Sequence, residues 1–471
     1  MTPGVGGERS STVMFEPASL ATALNAEIAE LKGAELCVAY SGGMDSHVLV
    51  HALCALRVLC GFRLRALHID HRLHPDSGEW AEHCRMVCAR LAVDFHAESV
   101  RVEIGAGRSL ENEARRARYA CLASQITAGQ YLLTAHHRDD QAETVLLMLM
   151  RGSGVRGTGG MRSQQRFGKG RLLRPLLGVG RAELAAYAAA EGLSWIDDAS
   201  NRDTRYSRNF VRHVVLPALA QHWPEAAGTL VRYAVQAREA SGLLDALARE
   251  DVAPCRVDCP GVLPISLGCL SVSALRRLPE ARIRNAVRLW LRDLGLDPPP
   301  SRRLAEAVSQ LVMCDATGCP RVEWADAVLR RYRDALIAGR CLGPPPRGAL
   351  AWSAPEALPV PWAGVQLTPR PVTGSGLARA VWERSVTVAP RRRGESCRPA
   401  GAPHHRRLKN LFQELGIPPW ERERLPLVYV DGQLAWLPGI GACAAFAAGA
   451  GEPGIAIELR TDSDDLDAQF H

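Results

Sequence analysis

The chain has 471 residues, 47% hydrophobic and 23% charged, with a net charge of +7. Those proportions exclude a mainly disordered chain, and the length predicts roughly two to four domains. The most apolar stretch, 434–450, is broken by Pro438 and several glycines, which argues against a membrane span. The opening MTPGVGGERSSTVMFEPASL lacks a basic region followed by an apolar one, which argues against a secretory signal.

LCVAY at 36–40 predicts an apolar strand, and Val48, Leu49, Ala52, Leu53 and Leu56 follow at helical spacing. LRALHID (64–70) predicts a second strand, 80–91 a helix, 93–104 an extended segment and 109–124 a helix. YLLTA (131–135) and 140–150 complete the alternation as strand and helix. Repeated βα units with apolar strands predict a parallel sheet covered on both faces, with ligands beyond the strands' carboxyl ends. Residues 151–170, rich in Gly and Arg, read as a mobile loop. Beyond it, 225–312 reads as mostly helical and 321–339 as strand–turn–strand. GPPPRG (343–348) reads as stiff linker, 380–460 as a small α+β region, and the acidic tail after 461 as disordered. The expected domains are 30–222, 223–340, a Pro-rich linker region 341–379, a basic domain 380–460 and the tail 461–471.

Lys32, Lys169 and Lys409 are the chain's lysines, and none precedes Ser or Thr, so there is no Walker-type phosphate loop. The 14 cysteines include no CxxC. Cys84, Val87, Cys88 and Leu91 share one helical face, which favours buried thiols in a reducing cytoplasm over a disulfide framework.

Four segments carry chemistry. SGGMDS comprises Ser41, Gly42, Gly43, Met44, Asp45 and Ser46 between the first strand and first helix. Its glycines permit close backbone approach to an anion, and successive N–H groups at a helix start form an anion nest. Asp45 is out of place there unless a Mg²⁺ stands between it and phosphate. Gly152, Gly154 and Gly157 fit GxGxxG, but follow a helical segment and fail that motif's context. In LLTAHHRDDQAETVLLMLMRGSG (132–154), Asp140 and Glu143 read alone as a capping box, Asp140 at N-cap. His136 and His137 just before them make metal binding or proton movement the stronger reading, with Asp45 and Asp140 sharing a Mg²⁺. His68, His71 and His74 are spaced three apart, but straddle a strand and a turn, which disfavours a zinc triad. Asp198 and Arg208 lie in WIDDASNRDTRYSRNFVRHVVLP, where Arg208 and Arg212 at i, i+4 could clamp phosphate. Residues 391–409 hold seven basic residues and one acid, including Arg391, Arg392, Arg393, Arg406, Arg407 and Lys409. Leu408, Leu411, Phe412 and Leu415 would anchor a helix there, leaving the basic residues to meet RNA phosphates.

Together these blocks resemble the PP-loop ATP pyrophosphatase superfamily and, within it, the tRNA(Ile)-lysidine synthase family. SGGMDS resembles the PP-loop, HHRDDQAETVLLMLMRGSG the second signature, and ENEARRARY, RPLL, DDASNRD and RNFVR later blocks. RRRGESCRPAG and HRRLKNLFQELGIPPWERERLPLVY resemble the family's C-terminal domain. The resemblance implies an adenine nucleotide alpha hydrolase-like parallel-sheet catalytic domain, a mainly helical domain and a small α+β domain. It implies a cytoplasmic ligase that uses ATP and Mg²⁺ to join L-lysine to the wobble cytidine of tRNA(Ile) with a CAU anticodon, with a homodimer left open. Ser41–Ser46 would bind ATP, and Asp45 and Asp140 would hold Mg²⁺. Asp45, His136, Asp140, Glu143 and Arg208 would be catalytic. Arg115, Asp198 and the basic residues from Arg391 to Lys409 would contact substrate. DDASN has Ala199 where a proline is common in the family. The alternatives are a PP-loop tRNA thiolase, disfavoured by the absent CxxC, and a noncatalytic ATP-dependent RNA-binding protein, disfavoured by the acid-rich second signature.

Overall fold

Leu36, Cys37 and Val38 are consecutive apolar residues, as a strand covered on both faces requires, and all three are buried in the first strand of the computed structural model. The structure describes residues 14–72, 76–101, 110–315, 318–344 and 347–460. It divides into two units, Met1–Gly242 and Leu243–His471.

The first unit is built on six strands: β1 (Glu35–Ala39), β2 (Arg63–Asp70), β3 (Asp94–Ser99), β4 (Tyr131–Leu133), β5 (Gln164–Phe167) and β6 (Gly170–Leu173). Their order is β3-β2-β1-β4-β6-β5, parallel except for the β5–β6 hairpin. One face is covered by α1 (Pro17–Glu27), α2 (Met44–Cys60), α3 (Ser77–Arg90) and, later in the chain, 181–190, through Leu24, Val48, Leu53, Val87 and Leu184. The other carries α4 (Leu110–Ser124), where Leu122 packs with Leu132, Phe167 and Leu172. Cys84 and Cys88 are buried on the predicted helical face. The sheet covered on both faces is thus observed. β3, DFHAES, is an edge strand and largely exposed, unlike its apolar neighbours.

Two expectations change within the first unit. α5 spans Arg138–Met150 with His137 at its N-cap and Asp140 at the third position, so Asp140 is not the cap. The expected loop 151–170 holds α6 (Val155–Thr158) and the β5 strand. Gly157, Gly159, Gly160, Gly168 and Gly170 serve close packing, whereas Gly152 and Gly154 face open space; a Cβ on Gly168 would lie 2.4 Å from the Ala123 carbonyl oxygen. Gly152, Gly154 and Gly157 lie around the α5–α6 junction, away from any strand-to-helix turn. α7 (Arg181–Ala190) follows, then α8 (Ser207–Phe210), a π turn (Val211–Val215), α9 (Leu216–His222) and α10 (Ala226–Val252), which runs across the boundary between units.

In the second unit β7 (Ser266–Ser271) interrupts the expected helical region before α11 (Val272–Leu275), α12 (Glu280–Asp293) and α13 (Ser301–Val308). Residues 321–339 form three strands rather than two: β8 (Arg321–Trp324), β9 (Ala327–Tyr332) and β10 (Ala335–Arg340). They make an antiparallel sheet ordered β7-β10-β9-β8 over a core centred on Trp290. Cys259 and Cys269 form a disulfide, a departure from the all-thiol expectation.

Within 341–379 the structure has β11 (Leu350–Ala351), β12 (Leu358–Val360), β13 (Val365–Thr373) and β14 (Leu377–Ala378). They share a core with β15 (Val386–Ala389), β16 (Ser396–Cys397), β17 (Arg406–Arg407), α14 (Leu408–Glu414) and α15 (Pro419–Arg422). The strands β18 (Leu427–Val430), β19 (Gln433–Leu437), β20 (Gly441–Ala442) and β21 (Pro453–Arg460) complete it. Leu408, Leu411 and Phe412 are buried as expected, but Leu415 is exposed. Glu421 of α15 is fully buried, and its Oε1 accepts from the Val262 N–H and from the Leu263 N–H at 2.7 Å. Gly261, at φ +111°, leaves room for that carboxyl. Burial pushes the Glu421 carboxyl up to about 7, although the two N–H bonds oppose this. The acidic tail lies outside the described residues.

Candidate active site

Three strand ends bring the site together. β1 leads into Ser41–Ser46, its neighbour β4 into His136–Asp140, and β6 into Arg174. Gly42, at φ +84°, makes the turn out of β1; a Cβ there would lie 2.5 Å from Ile196 Cδ1 and 2.9 Å from Cys84 Sγ. Ser41 Oγ and Ser46 Oγ lie 3.0 Å apart, and Ser46 Oγ donates to the Gly43 carbonyl at 3.0 Å. No side chain caps α2, whose cap residue is Gly43. Its first N–H groups and the helix dipole therefore favour an anion. Beneath the loop, Cys84 is buried, and desolvation pushes its thiol up to about 12.

Asp45 follows in the first turn of α2. One oxygen, Oδ2, is 3.7 Å from His137 Nε2; Oδ1 is buried with no hydrogen-bond partner. His137 is fully buried, with Asp140 Oδ2 at 3.4 Å from Nε2 and Asp139 Oδ2 at 3.6 Å from Nδ1. These are ion-pair distances, longer than hydrogen bonds. Burial alone would drive the imidazole's pKa down, but Asp139, Asp45 and Asp140 outweigh it and hold it at about 10. His137 is thus a buried cation ringed by carboxylates. Asp139, despite burial, is drawn down to about 2 by His137 and the Arg181 N–H, which it accepts at 2.9 Å.

Asp140 accepts from the His137 N–H at 3.0 Å through Oδ2, and from Arg208 Nη2 (3.0 Å) and Arg212 Nη2 (2.8 Å) through Oδ1. Burial opposes ionisation of Asp140, but His137 and the arginines hold its carboxyl below the usual range. Glu143 is fully buried; it accepts from Arg208 Nε at 2.7 Å and Arg212 Nε at 2.6 Å. The predicted phosphate clamp of Arg208 and Arg212 therefore closes on two carboxylates of the protein itself. His136 is half-buried, its Nδ1 2.8 Å from Thr134 Oγ1. Burial, reinforced by Arg174, Arg208 and Arg115 against the pull of Asp140, lowers its pKa to about 3.

For a divalent cation, the unpartnered Oδ1 of Asp45 is a fitting ligand. Both oxygens of Asp140 already accept hydrogen bonds, so the two aspartates are not equivalent. Among the described residues no group of three or more His, Cys, Asp or Glu is arranged to hold a metal. His68 places Nδ1 3.0 Å from the Tyr40 carbonyl, and His74 lies outside the described residues.

The remaining expected substrate residues are dispersed. Asp198 caps the short helical turn Ala199–Arg202, accepting from the Ser200 N–H at 2.8 Å. Arg115 is exposed on α4, its guanidinium 5.0 Å from the Tyr119 ring centre. In the second unit, β16 pairs with β17, Ser396 opposite Arg407, so one hairpin gathers the basic residues of 391–409. Arg393, Arg407 and Lys409 are exposed, and Arg391 is half-buried. Arg392 lies 4.8 Å from the Tyr429 ring centre, and Arg406 pairs with Glu414. His137, which the sequence offers only alongside His136, is a separate element of the site. Its only sign was the HH doublet, and burial distinguishes the two rings. Arg118 and Tyr119 stand inside the ENEARRARY block and Arg174 opens RPLL, with no pattern in the sequence that gives them a role.

Comparison with known proteins follows the same division. A PP-loop domain family matches residues 17–219, a TilS substrate binding domain 270–337, and a TilS substrate C-terminal domain 386–459. The chain is 44% identical over 420 residues to a tRNA(Ile)-lysidine synthase of Alkalilimnicola ehrlichii, covering 88% of this chain and 91% of that one. It is 36% identical to a tRNA(Ile)-lysidine synthase of Coxiella burnetii, covering 90% and 93%. Among solved structures it is similar to the U34-tRNA thiolase NcsA from Methanococcus maripaludis, with 14% identity, a TM-score of 0.40, and coverage of 47% and 77%.

Proposed function

Because the chain belongs to the tRNA(Ile)-lysidine synthase family, we propose that it joins L-lysine to C2 of the wobble cytidine in the CAU anticodon of tRNA(Ile), consuming ATP. A cytoplasmic location is part of this proposal, because the substrate is tRNA. The supporting observation is the junction of the uncapped α2 start with the carboxylate cluster at adjoining strand ends.

Cytidine O2 attacks the α-phosphate of ATP and pyrophosphate leaves. The lysine amine then attacks the activated C2, forming the C–N bond and expelling AMP. The main-chain amides of Ser41–Ser46 stabilise the charge that builds on pyrophosphate. Asp45 would hold Mg²⁺ through Oδ1, and that ion supplies charge neutralisation at the phosphates. The His137 imidazolium keeps Asp45 and Asp140 together where two carboxylates would otherwise repel. Asp140, kept ionised by His137 and two arginines, attracts the lysine ammonium. Neutral His136, its Nδ1 2.8 Å from Thr134 Oγ1, stands beside it as an uncharged imidazole; in the tautomer protonated at Nδ1, its Nε2 is an acceptor. Glu143 is enclosed by Arg208 and Arg212, so it acts by positioning them rather than as a base.

Incubation with unmodified tRNA(Ile), ATP and labelled lysine should place label in RNA, and none would overturn the reading. Asp45→Asn should lower the rate at least about 100-fold with an unchanged circular dichroism spectrum; full turnover would remove the metal role.

A further inference from the structure

Beyond the carboxylate cluster lies a second group of side chains that the reaction above does not use. α4 carries Arg115, Arg118 and Tyr119 at positions i, i+3 and i+4, which share a helix face. The guanidinium of Arg115 lies 5.0 Å and that of Arg118 5.6 Å from the Tyr119 ring centre, so two cations flank one phenol. Arg174, at the end of β6, faces the same phenol and is buried. Its Nη1 donates to the Arg162 carbonyl at 2.7 Å and to Gln165 Oε1 at 3.3 Å, while Nε is buried without a partner. Tyr119 Oη is also buried without a hydrogen-bond partner.

Arg208 and Arg212, in the same unit, each meet carboxylates. Among the described residues no carboxylate pairs with Arg115, Arg118 or Arg174. Burial lowers the pKa of Arg118 and Arg174, and Arg115 adds like-charge repulsion to each. A buried guanidinium such as that of Arg174 is costly without an anion, and orphaned buried donors need a partner. Planar guanidinium forks grouped around a phenol O–H suit a tetrahedral oxyanion.

We propose that Arg118, Tyr119 and Arg174 form a phosphate site for the RNA, holding a phosphodiester next to the reacting cytidine. This rests on the RNA-modifying reading above. β4 stands between β1 and β6 in the sheet, so the end of β6 is about 10 Å from the PP-loop. That separation favours a phosphate of the RNA over the β- and γ-phosphates held at α2.

The test uses the full chain carrying Arg174→Gln, Arg118→Gln or Tyr119→Phe, with binding of unmodified tRNA(Ile) measured across a salt series and binding of a non-hydrolysable ATP analogue measured separately. Each arginine variant should weaken tRNA binding about tenfold and reduce the salt slope by about one, with the ATP analogue unaffected. Tyr119→Phe should weaken tRNA binding less, without changing the slope. Arg174→Lys should restore the slope and part of the affinity. Loss of ATP-analogue binding with unchanged tRNA binding would assign the cluster to the nucleotide and overturn the proposal. Normal binding of both ligands by folded variants would overturn it as well. Should the arginine variants fail to fold, phenylglyoxal labelling of the unaltered protein gives the answer: bound tRNA should protect Arg118 and Arg174, and equal labelling refutes the site. Failure of the unaltered protein to bind tRNA would count against the RNA-modifying reading itself, whereas loss confined to the variants bears on this cluster alone.

Discussion

Glu143 shows how a residue's surroundings decide its role. A carboxylate three positions after Asp140 is a reasonable candidate for proton transfer. The side chain nevertheless has no exposed surface and is gripped by two guanidiniums. Its partners lie 65 and 69 residues later, so no local pattern announces the pairing. Removing one member of a buried ion network leaves the others uncompensated. Glu143→Ala should therefore destabilise the protein by about 3–5 kcal/mol, measured by urea unfolding; a change below about 1 kcal/mol would mean that the arginines hold position unaided. His136 and His137 make the same point. Adjacent in sequence and identical in type, they end as a neutral ring and a cation: burial, reinforced by three arginines, prevails at His136, whereas Asp139, Asp45 and Asp140 outweigh burial at His137. The doublet was legible; the assignment of charge was not.

Among elements, the alternating strands and helices up to Met150 were legible because each has an apolar rhythm of its own. β7 was not: SLGCLS has little strand character until β10 pairs with it. The hairpin after α6 was hidden by glycines whose purpose is close packing rather than mobility. α15 offers a test of an element held by one side chain. Glu421 joins α15 to the backbone before β7, with its carboxyl raised from 4.5 to about 7. An acid whose folded-state pKa is raised contributes stability fully below its unfolded pKa, and that contribution is lost as pH rises through the folded value. Between pH 5 and pH 8 the unaltered protein should lose on the order of 2 kcal/mol relative to Glu421→Gln, read from paired unfolding curves. A pH-independent difference would show that the carboxyl does not titrate in this range.

Across the whole molecule, three family regions fall on a PP-loop unit and a second unit with two successive cores. Net charge pointed to the second of these cores, because the basic stretch 391–409 nearly accounts for the chain's excess of +7. β16 and β17 turn that stretch into one surface hairpin. Replacing Arg391, Arg392 and Arg393 together with alanine should weaken tRNA binding and flatten its salt dependence by up to about three counterions, while ATP binding stays intact. An unaltered salt slope would remove this surface from the RNA interface. The pairing of Arg392 with Tyr429 and of Arg406 with Glu414 shows why charge counting alone overstates such a patch.

The thiol of Cys84 lies where a side chain on Gly42 would touch it, sealed under the nucleotide loop and resistant to ionisation. It is therefore a natural reporter of how often that loop lifts. In a pulse of iodoacetamide, exposed Cys314 should alkylate at once and Cys84 only during excursions from the closed state. An ATP analogue should lengthen the interval between those excursions; equal alkylation rates with and without it would mean that the loop is as restless when occupied as when empty.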